Sequence, residues 1–176
     1  MQSNNKKFLT VFAVFDDNTQ YKLNMLKQII SHNNIVGNMI TDIPFHISLG
    51  SYPLDMKEEL INKIKSITSV ENSFEINLQK IQHFDNKVLF VKPRKNDNLI
   101  ELQKNFDNNF ADKYKFYPHV TLFCGDKKQV KIVKRLIKNV FESFTGYITS
   151  LYIGEFYPTQ IIYHEELQSN QQNILQ

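Results

Sequence analysis

The tetrapeptides His46-Ile47-Ser48-Leu49 and His119-Val120-Thr121-Leu122 share one pattern: imidazole, apolar, hydroxyl, apolar. On a β-strand the side chains alternate between faces, so residues two apart share a face. His46 and Ser48 then point one way, with Ile47 and Leu49 pointing the other. His119 and Thr121 repeat the arrangement. Each copy sets an imidazole and a hydroxyl on a rigid strand whose opposite face is apolar. An imidazole titrates near neutral pH, so two of them on opposite sides of a phosphorus serve as base and acid in one step. One takes a proton from the attacking water or hydroxyl, and the other gives one to the leaving oxygen. The Ser48 and Thr121 hydroxyls suit the nonbridging oxygens, where charge gathers in the transition state. No Asp/Glu cluster with metal-ligand spacing accompanies either motif, so this reading uses no metal and no cofactor.

Elements of definite type must hold these residues. Phe8 to Phe15 is β-branched and aromatic and reads as a strand. Asp16 to Thr19 cap a helix with Leu23, Leu26 and Ile30 at helical spacing. Phe45 to Leu49 is a short strand entered through Pro44. A helix begins at Asp55 with Leu60, Ile61, Ile64 and Ile67 on one face, and Phe74 to Leu78 alternates as a strand. The order then recurs. Val88 to Val91 is a strand, Asn96 to Asp112 a helix with Leu99, Leu102, Phe106 and Phe110 along its stripe, and Pro118 to Phe123 a strand. Lys127 to Phe144 is a helix, and Tyr147 to Ile153 and Gln160 to Tyr163 are strands. At a lag of 73 residues, Ile47 falls on Val120, Ser48 on Thr121 and Phe74 on Tyr147. Such a repeat, with no Pro/Gly/Ser-rich linker, predicts one unit of two lobes, roughly 1–80 and 81–165, with strands that can interleave and a polar tail over 166–176.

The 176 residues suit one domain, and 41% apolar with 22% charged residues is the balance of a folded soluble protein. A formal net charge of +3 permits an anionic ligand without demanding one. The single Cys124 excludes an internal disulfide framework. No apolar run approaches the roughly 20 residues of a membrane helix. The run Phe8 to Phe15 is too short for a signal peptide and ends at Asp16-Asp17, so a cytoplasmic protein is expected. With no exposed heptad or obvious sticky strand, a monomer is the default.

Other chemistry-bearing residues have plainer readings. His32, His83 and His164 lack the pattern and read as surface or loop residues. Cys124 reads as a small buried thiol. Phe45, Tyr52 and Tyr117 stand near the motifs and are carried as candidates for stacking on a nucleobase, although packing is the commoner role of such aromatics. Lys127, Lys128, Lys131, Lys134, Arg135 and Lys138 give one helix a basic face, which reads as solvated before it reads as an RNA track. Lys92 and Arg94 end a strand from which they can reach an anion.

Pro44-Phe-His-Ile-Ser-Leu49 and Tyr117-Pro-His-Val-Thr-Leu-Phe123 resemble the paired H-x-[ST]-x signatures of the 2H phosphoesterases, the group that holds the 2'-5' RNA ligase-like proteins and RNA cyclic phosphodiesterases. The resemblance spans most of the chain. It implies a bilobal α+β fold with a pseudo-twofold axis, an antiparallel sheet in each lobe, helices outside and a cleft between the sheets. It implies that His46 and His119 are the catalytic pair and that Ser48 and Thr121 bind phosphate. The implied substrates are 2',3'-cyclic phosphates or 2'-5' linkages in RNA or small nucleotides. Cyclic di- or oligonucleotide signals would use the same chemistry. A non-catalytic RNA-end or nucleotide-binding module is the rival of another class.

Overall fold

The computed structural model describes residues 7–38, 43–106 and 116–169. Strand β1 (Phe8–Phe15) leads into helix α1 (Asp17–His32) and strand β2 (His46–Tyr52). A 3₁₀ turn at Leu54–Met56 opens α2 (Lys57–Thr68), followed by β3 (Phe74–Phe84) and β4 (Val88–Pro93). Then come α3 (Asp97–Lys104), β5 (Val120–Cys124), α4 (Lys127–Lys138), β6 (Phe144–Phe156) and β7 (Gln160–Glu166). The fold is α+β: one open antiparallel sheet with four helices among the described residues.

The strands run in the order β2-β1-β6-β3-β4-β5, with β7 also on β6. Ile148 of β6 pairs with Phe15 of β1 and with Phe74 of β3, so these two strands lie on opposite edges of β6. Ile153 pairs with Val11 and with Tyr163, so β7 continues the edge that β3 begins. Under the internal repeat, β2-β1-β6 corresponds to β5-β4-β3, and the path reads the same from either end. Each half lends its third strand to the other: β3 pairs with β4, and β6 pairs with β1. The two lobes are therefore halves of one continuous sheet, joined where β6 meets β3.

The helices cover one face. Leu9, Val11, Ala13 and Phe15 of β1, Ile47 and Leu49 of β2, and Val120 and Leu122 of β5 all enter the helix-side core. Burying such side chains stabilises by about 1.5–3 kcal/mol each. Both faces of β1 are covered, because Phe12 and Val14 are buried on the side away from the helices. Asp16 anchors this layer. Its carboxylate accepts from the Thr19 N–H at 3.0 Å, capping α1, and from the Tyr147 N–H of β6 at 2.8 Å. A Cβ on Gly146 would lie 2.1 Å from Thr19 Oγ1, so only glycine lets helix and strand approach here.

Several boundaries differ from those the sequence suggests. Helix α4 stops at Lys138, where its buried stripe of Val130, Val133 and Ile137 ends. Phe144 starts β6 opposite Leu78 instead of closing the helix. Strand β3 runs on to Phe84 through a register shift between Leu78 and Lys80, which keeps Leu78 and Ile81 on the core side. Helix α3 ends at Lys104, and Phe106 is fully buried just beyond it. Phe110, expected on that helix, lies outside the described residues. The chain beyond Tyr163 is not all frayed: β7 reaches Glu166, and Leu167 is buried. The Gln168 N–H donates to the Glu71 carbonyl at 2.8 Å.

Candidate active site

The alternation expected at the two motifs holds. Ile47, Leu49, Val120 and Leu122 are buried under the helices, while His46, Ser48, His119 and Thr121 share the open face of the sheet. β2 and β5 end the strand path at opposite extremes, yet the sheet curls enough to bring their Cα atoms within 8 Å. The curl forms a cleft with one motif on each wall.

The two imidazoles are held in the same way. His46 Nδ1 lies 2.8 Å from the Pro44 carbonyl oxygen, and His119 Nδ1 lies 2.8 Å from the Tyr117 carbonyl oxygen. A carbonyl only accepts, so each Nδ1 carries the hydrogen. Each Nε2 is then the nitrogen that gains and loses a proton, bearing the lone pair in the neutral ring, and neither has a protein partner among the described residues. Each ring also leans on a phenylalanine of the neighbouring strand. Phe12 lies 4.1 Å from the His46 ring, centroid to centroid, and Phe90 lies 5.3 Å from that of His119. Phe12 stands opposite Ser48 in the β1–β2 pairing, and Phe90 stands opposite Thr121 in the β4–β5 pairing. Phe12 and Phe90 are thus equivalent residues under the repeat. Both are buried, at 0% and 1% exposure. The second ring has one more neighbour, Phe84 at 4.9 Å.

Electrostatics separate the two. Burial drives the pKa of His46 down to about 4; the hydrogen bond to Pro44 opposes this and the charge of His119 adds to it. Burial also lowers His119, against its hydrogen bond to Tyr117. Both imidazoles are thus pushed toward the neutral form, and a positive charge on His119 further disfavours one on His46.

A cavity of about 460 Å³ opens beside His46 and Thr121, with Gln20, Asn24 and Lys27 of α1 and Cys124 of β5 in its wall. The segment before β2 crosses to β5 at this point. The Asn38 N–H donates to the Cys124 carbonyl at 2.8 Å, and a Cβ on Gly37 would lie 2.3 Å from that same oxygen. Burial raises the Cys124 thiol pKa, which leaves it a weak nucleophile at neutral pH.

The other candidate residues divide. Tyr117 is 40% exposed beside His119, and its hydroxyl donates to Gln82 Oε1 at 2.7 Å. Tyr52 is buried in the helix-side core, where its hydroxyl donates to the Phe106 carbonyl at 2.6 Å, so it offers no face to a base. Phe45 is also a core residue that contributes to the cavity wall. His83 lies within β3 rather than in a loop, with a buried Nδ1 that has no partner among the described residues. His164 stacks on Tyr152 at 5.0 Å, and His32 is exposed at the end of α1. The α4 lysines lie on the helix surface, half-buried at Lys134 and exposed elsewhere, away from the motifs. Sequence reasoning missed Phe12 and Phe90. Their signal was available as one aromatic in each half, on the strand adjacent to each motif. Among the described residues no group of three or more His, Cys, Asp or Glu side chains is placed to hold a metal ion. No helix among them is long and apolar enough to cross a membrane.

Residues 35–156, more than half of the chain and including both motifs, match the model of the 2'-5' RNA ligase superfamily. The chain belongs to that superfamily. Solved structures agree on the fold. TT0787 of Thermus thermophilus is 12% identical with a TM-score of 0.64, and the match covers 93% of this chain and 99% of that one. E. coli LigT complexed with 3'-AMP is 14% identical with a TM-score of 0.58, covering 92% and 98%. E. coli LigT complexed with ATP gives 14% identity and 0.60 over the same shares. No curated protein sequence matches the chain. Superfamily membership supports a phosphoesterase of the 2H type that takes RNA or nucleotides.

Proposed function

We propose that this 2'-5' RNA ligase superfamily member is a metal-independent phosphodiesterase that hydrolyses 2',3'-cyclic phosphates or 2'-5' linkages in RNA or small nucleotides. The observation that carries the reading is the duplication of one device. Two imidazoles stand at matched positions, His46 at the head of β2 and His119 just before β5, each with Nδ1 tied to the carbonyl two residues back and Nε2 left open. A structural histidine needs no such twin.

In this reading His46, neutral at working pH, takes a proton at Nε2 from the attacking water as the water oxygen bonds to phosphorus. His119 gives its Nε2 proton to the ribose oxygen as the phosphorus–oxygen bond breaks. The product is a phosphomonoester and a free hydroxyl, and proton exchange with solvent resets the pair. Ser48 and Thr121 donate to the nonbridging oxygens. The pKa of His46, held down to about 4 by burial and by the charge of His119, supports this division of roles. Tyr117, exposed next to His119, is the aromatic best placed to stack on a base. The proposed enzyme acts as a monomer in the cytoplasm.

The test is a turnover screen in EDTA with nucleoside 2',3'-cyclic phosphates, a 2'-5' oligoadenylate, ADP-ribose cyclic phosphate and a panel of cyclic dinucleotides. Cleavage of a cyclic phosphate or 2'-5' bond, undiminished by the chelator, is expected. Cleavage confined to cyclic dinucleotides would replace this substrate with a signalling nucleotide. Tight nucleotide binding without turnover of any substrate would overturn the enzyme reading in favour of a binding module.

A further inference from the structure

The repeat that makes the two motifs alike breaks down one residue pair away from them. In the first lobe Val14, opposite His46 in the β1–β2 pairing, has Ser150 as its partner on β6. With Phe12 matching Phe90, the equivalent pair in the second lobe is Lys92 and Lys80, which stand directly opposite each other on β4 and β3. Strand alternation puts both on the cleft side of the sheet, and Lys80, at the free edge of β3, also borders a hollow with Lys134 and Lys138 of α4. Ile81 and Val91, their neighbours in the ladder, enter the helix-side core, and Gln82 and Phe90 return to the cleft side. Lys92 Nζ lies 4.5 Å from the centroid of the Tyr117 ring, which fixes its direction.

Like charges directly opposite on neighbouring strands destabilise a sheet. Neither lysine has a carboxylate partner among the described residues. The corresponding flank of the first lobe has the opposite sign: Asp16, Asp17 and Glu166 line a hollow with Val14, Ser150 and Tyr152. The two flanks therefore differ in sign: lysines stand beyond His119, while carboxylates stand beyond His46, with Lys27 of α1 in the cavity wall between.

Resting on the phosphodiesterase reading above, we propose that Lys80 and Lys92 form a subsite for a phosphate other than the one being cleaved. The substrate is then an oligonucleotide end whose chain runs over the second lobe, past Tyr117, rather than a mononucleotide. The acidic flank of the first lobe repels the same chain and sets its direction. A single strand that gives up counterions to two lysines also makes binding depend on salt.

The test is equilibrium binding, so it does not depend on turnover. A 5'-fluorescein-labelled tetra-adenylate ending in a 3'-phosphate is titrated by anisotropy, and adenosine 3'-monophosphate competes with it. In Lys80→Gln/Lys92→Gln the tetranucleotide should bind about 10-fold more weakly, with a salt slope reduced by about 1 to 1.5. The mononucleotide affinity should stay within about twofold, and the melting temperature should not fall, because a repulsive pair has been removed. Lys128→Gln/Arg135→Gln on α4, two exposed cations that do not border the hollow beside Lys80, controls for bulk charge and should leave the tetranucleotide affinity nearly unchanged. Equal losses for mono- and tetranucleotide, an unchanged tetranucleotide affinity, or an equal effect of the α4 variant would overturn the subsite. So would a lowered melting temperature, since the lysines would then be structural. A failed turnover screen with these binding results intact would sink the enzyme reading and leave the subsite standing.

Discussion

His46 rests against Phe12 with 4.1 Å between ring centroids, and Phe12 stands across the strand from Ser48. One buried ring thus sits beneath both the imidazole and the hydroxyl of the first motif. Phe90 does the same for His119 and Thr121. The phenylalanines do no chemistry. They fix the angle from which each Nε2 meets the cleft, and they supply part of the burial that lowers each pKa.

Phe12→Leu should accordingly lower kcat more than it raises KM, because the platform is lost while the hydroxyls stay. Phe12→Ala should also destabilise by about 3–5 kcal/mol, the usual cost of emptying a fully buried phenylalanine site. Steady-state kinetics of the first variant and urea melts of the second check these outcomes. Full activity in Phe12→Leu would remove the platform role.

Ser48 and Thr121 stand cross-strand from those rings, and in the proposed mechanism their hydroxyls donate to charge that develops on phosphorus oxygens. Thr121→Val keeps shape and strand preference and removes the donor. It should reduce kcat by about 10²-fold, in the range seen when one such donor is lost. Ser48→Ala should behave alike. If either variant raised KM alone, its hydroxyl would bind the ground state and transition state equally.

The depressed pKa of His46 predicts how stability depends on pH. The folded state holds this proton only near pH 4, whereas the unfolded chain takes it up near the ordinary value of about 6.5. Between those values the unfolded state binds more protons, so stability is complete above about pH 6.5 and falls as pH drops toward 4. His119, lowered as well, adds to the same slope. Urea melts from pH 7.5 to 4.5 should show this loss, and His46→Gln should flatten it. An unchanged slope in that variant would place the titration elsewhere.

The motifs were legible because a period of two fixes which side chains share a face, and because the repeat set one motif on the other. The same repeat foretold the order of elements and the palindromic strand path that follows from it. The exchange of third strands was less visible: whether β3 pairs within its own half is decided by packing across the whole sheet, which no local pattern records. Tyr52 illustrates a similar limit. Its place near the first motif suggests the cleft, but it shares the parity of Gly50 and Ser48 only if β2 is regular. The register shift between Val11 and Phe12, opposite Gly50 and Ser48, turns it into the core. Phe144 was assigned to a helix because a stripe at helical spacing runs into a strand that also begins with an aromatic. The cationic pair of Lys80 and Lys92 depends on the register of β3 past its irregularity, which is a property of the paired strands and not of either segment alone.

The central claim is that His46 and His119 act as one acid–base unit. Its most direct test is cleavage of a nucleoside 2',3'-cyclic phosphate in EDTA by the wild type, His46→Ala, His119→Ala and the double variant. Each single variant should lose about 10²- to 10⁴-fold in kcat, the usual scale for a lost proton-transfer group. The double variant should fall little further, because either loss disables the shared step. Losses under tenfold in both single variants, with the wild type active, would contradict the account.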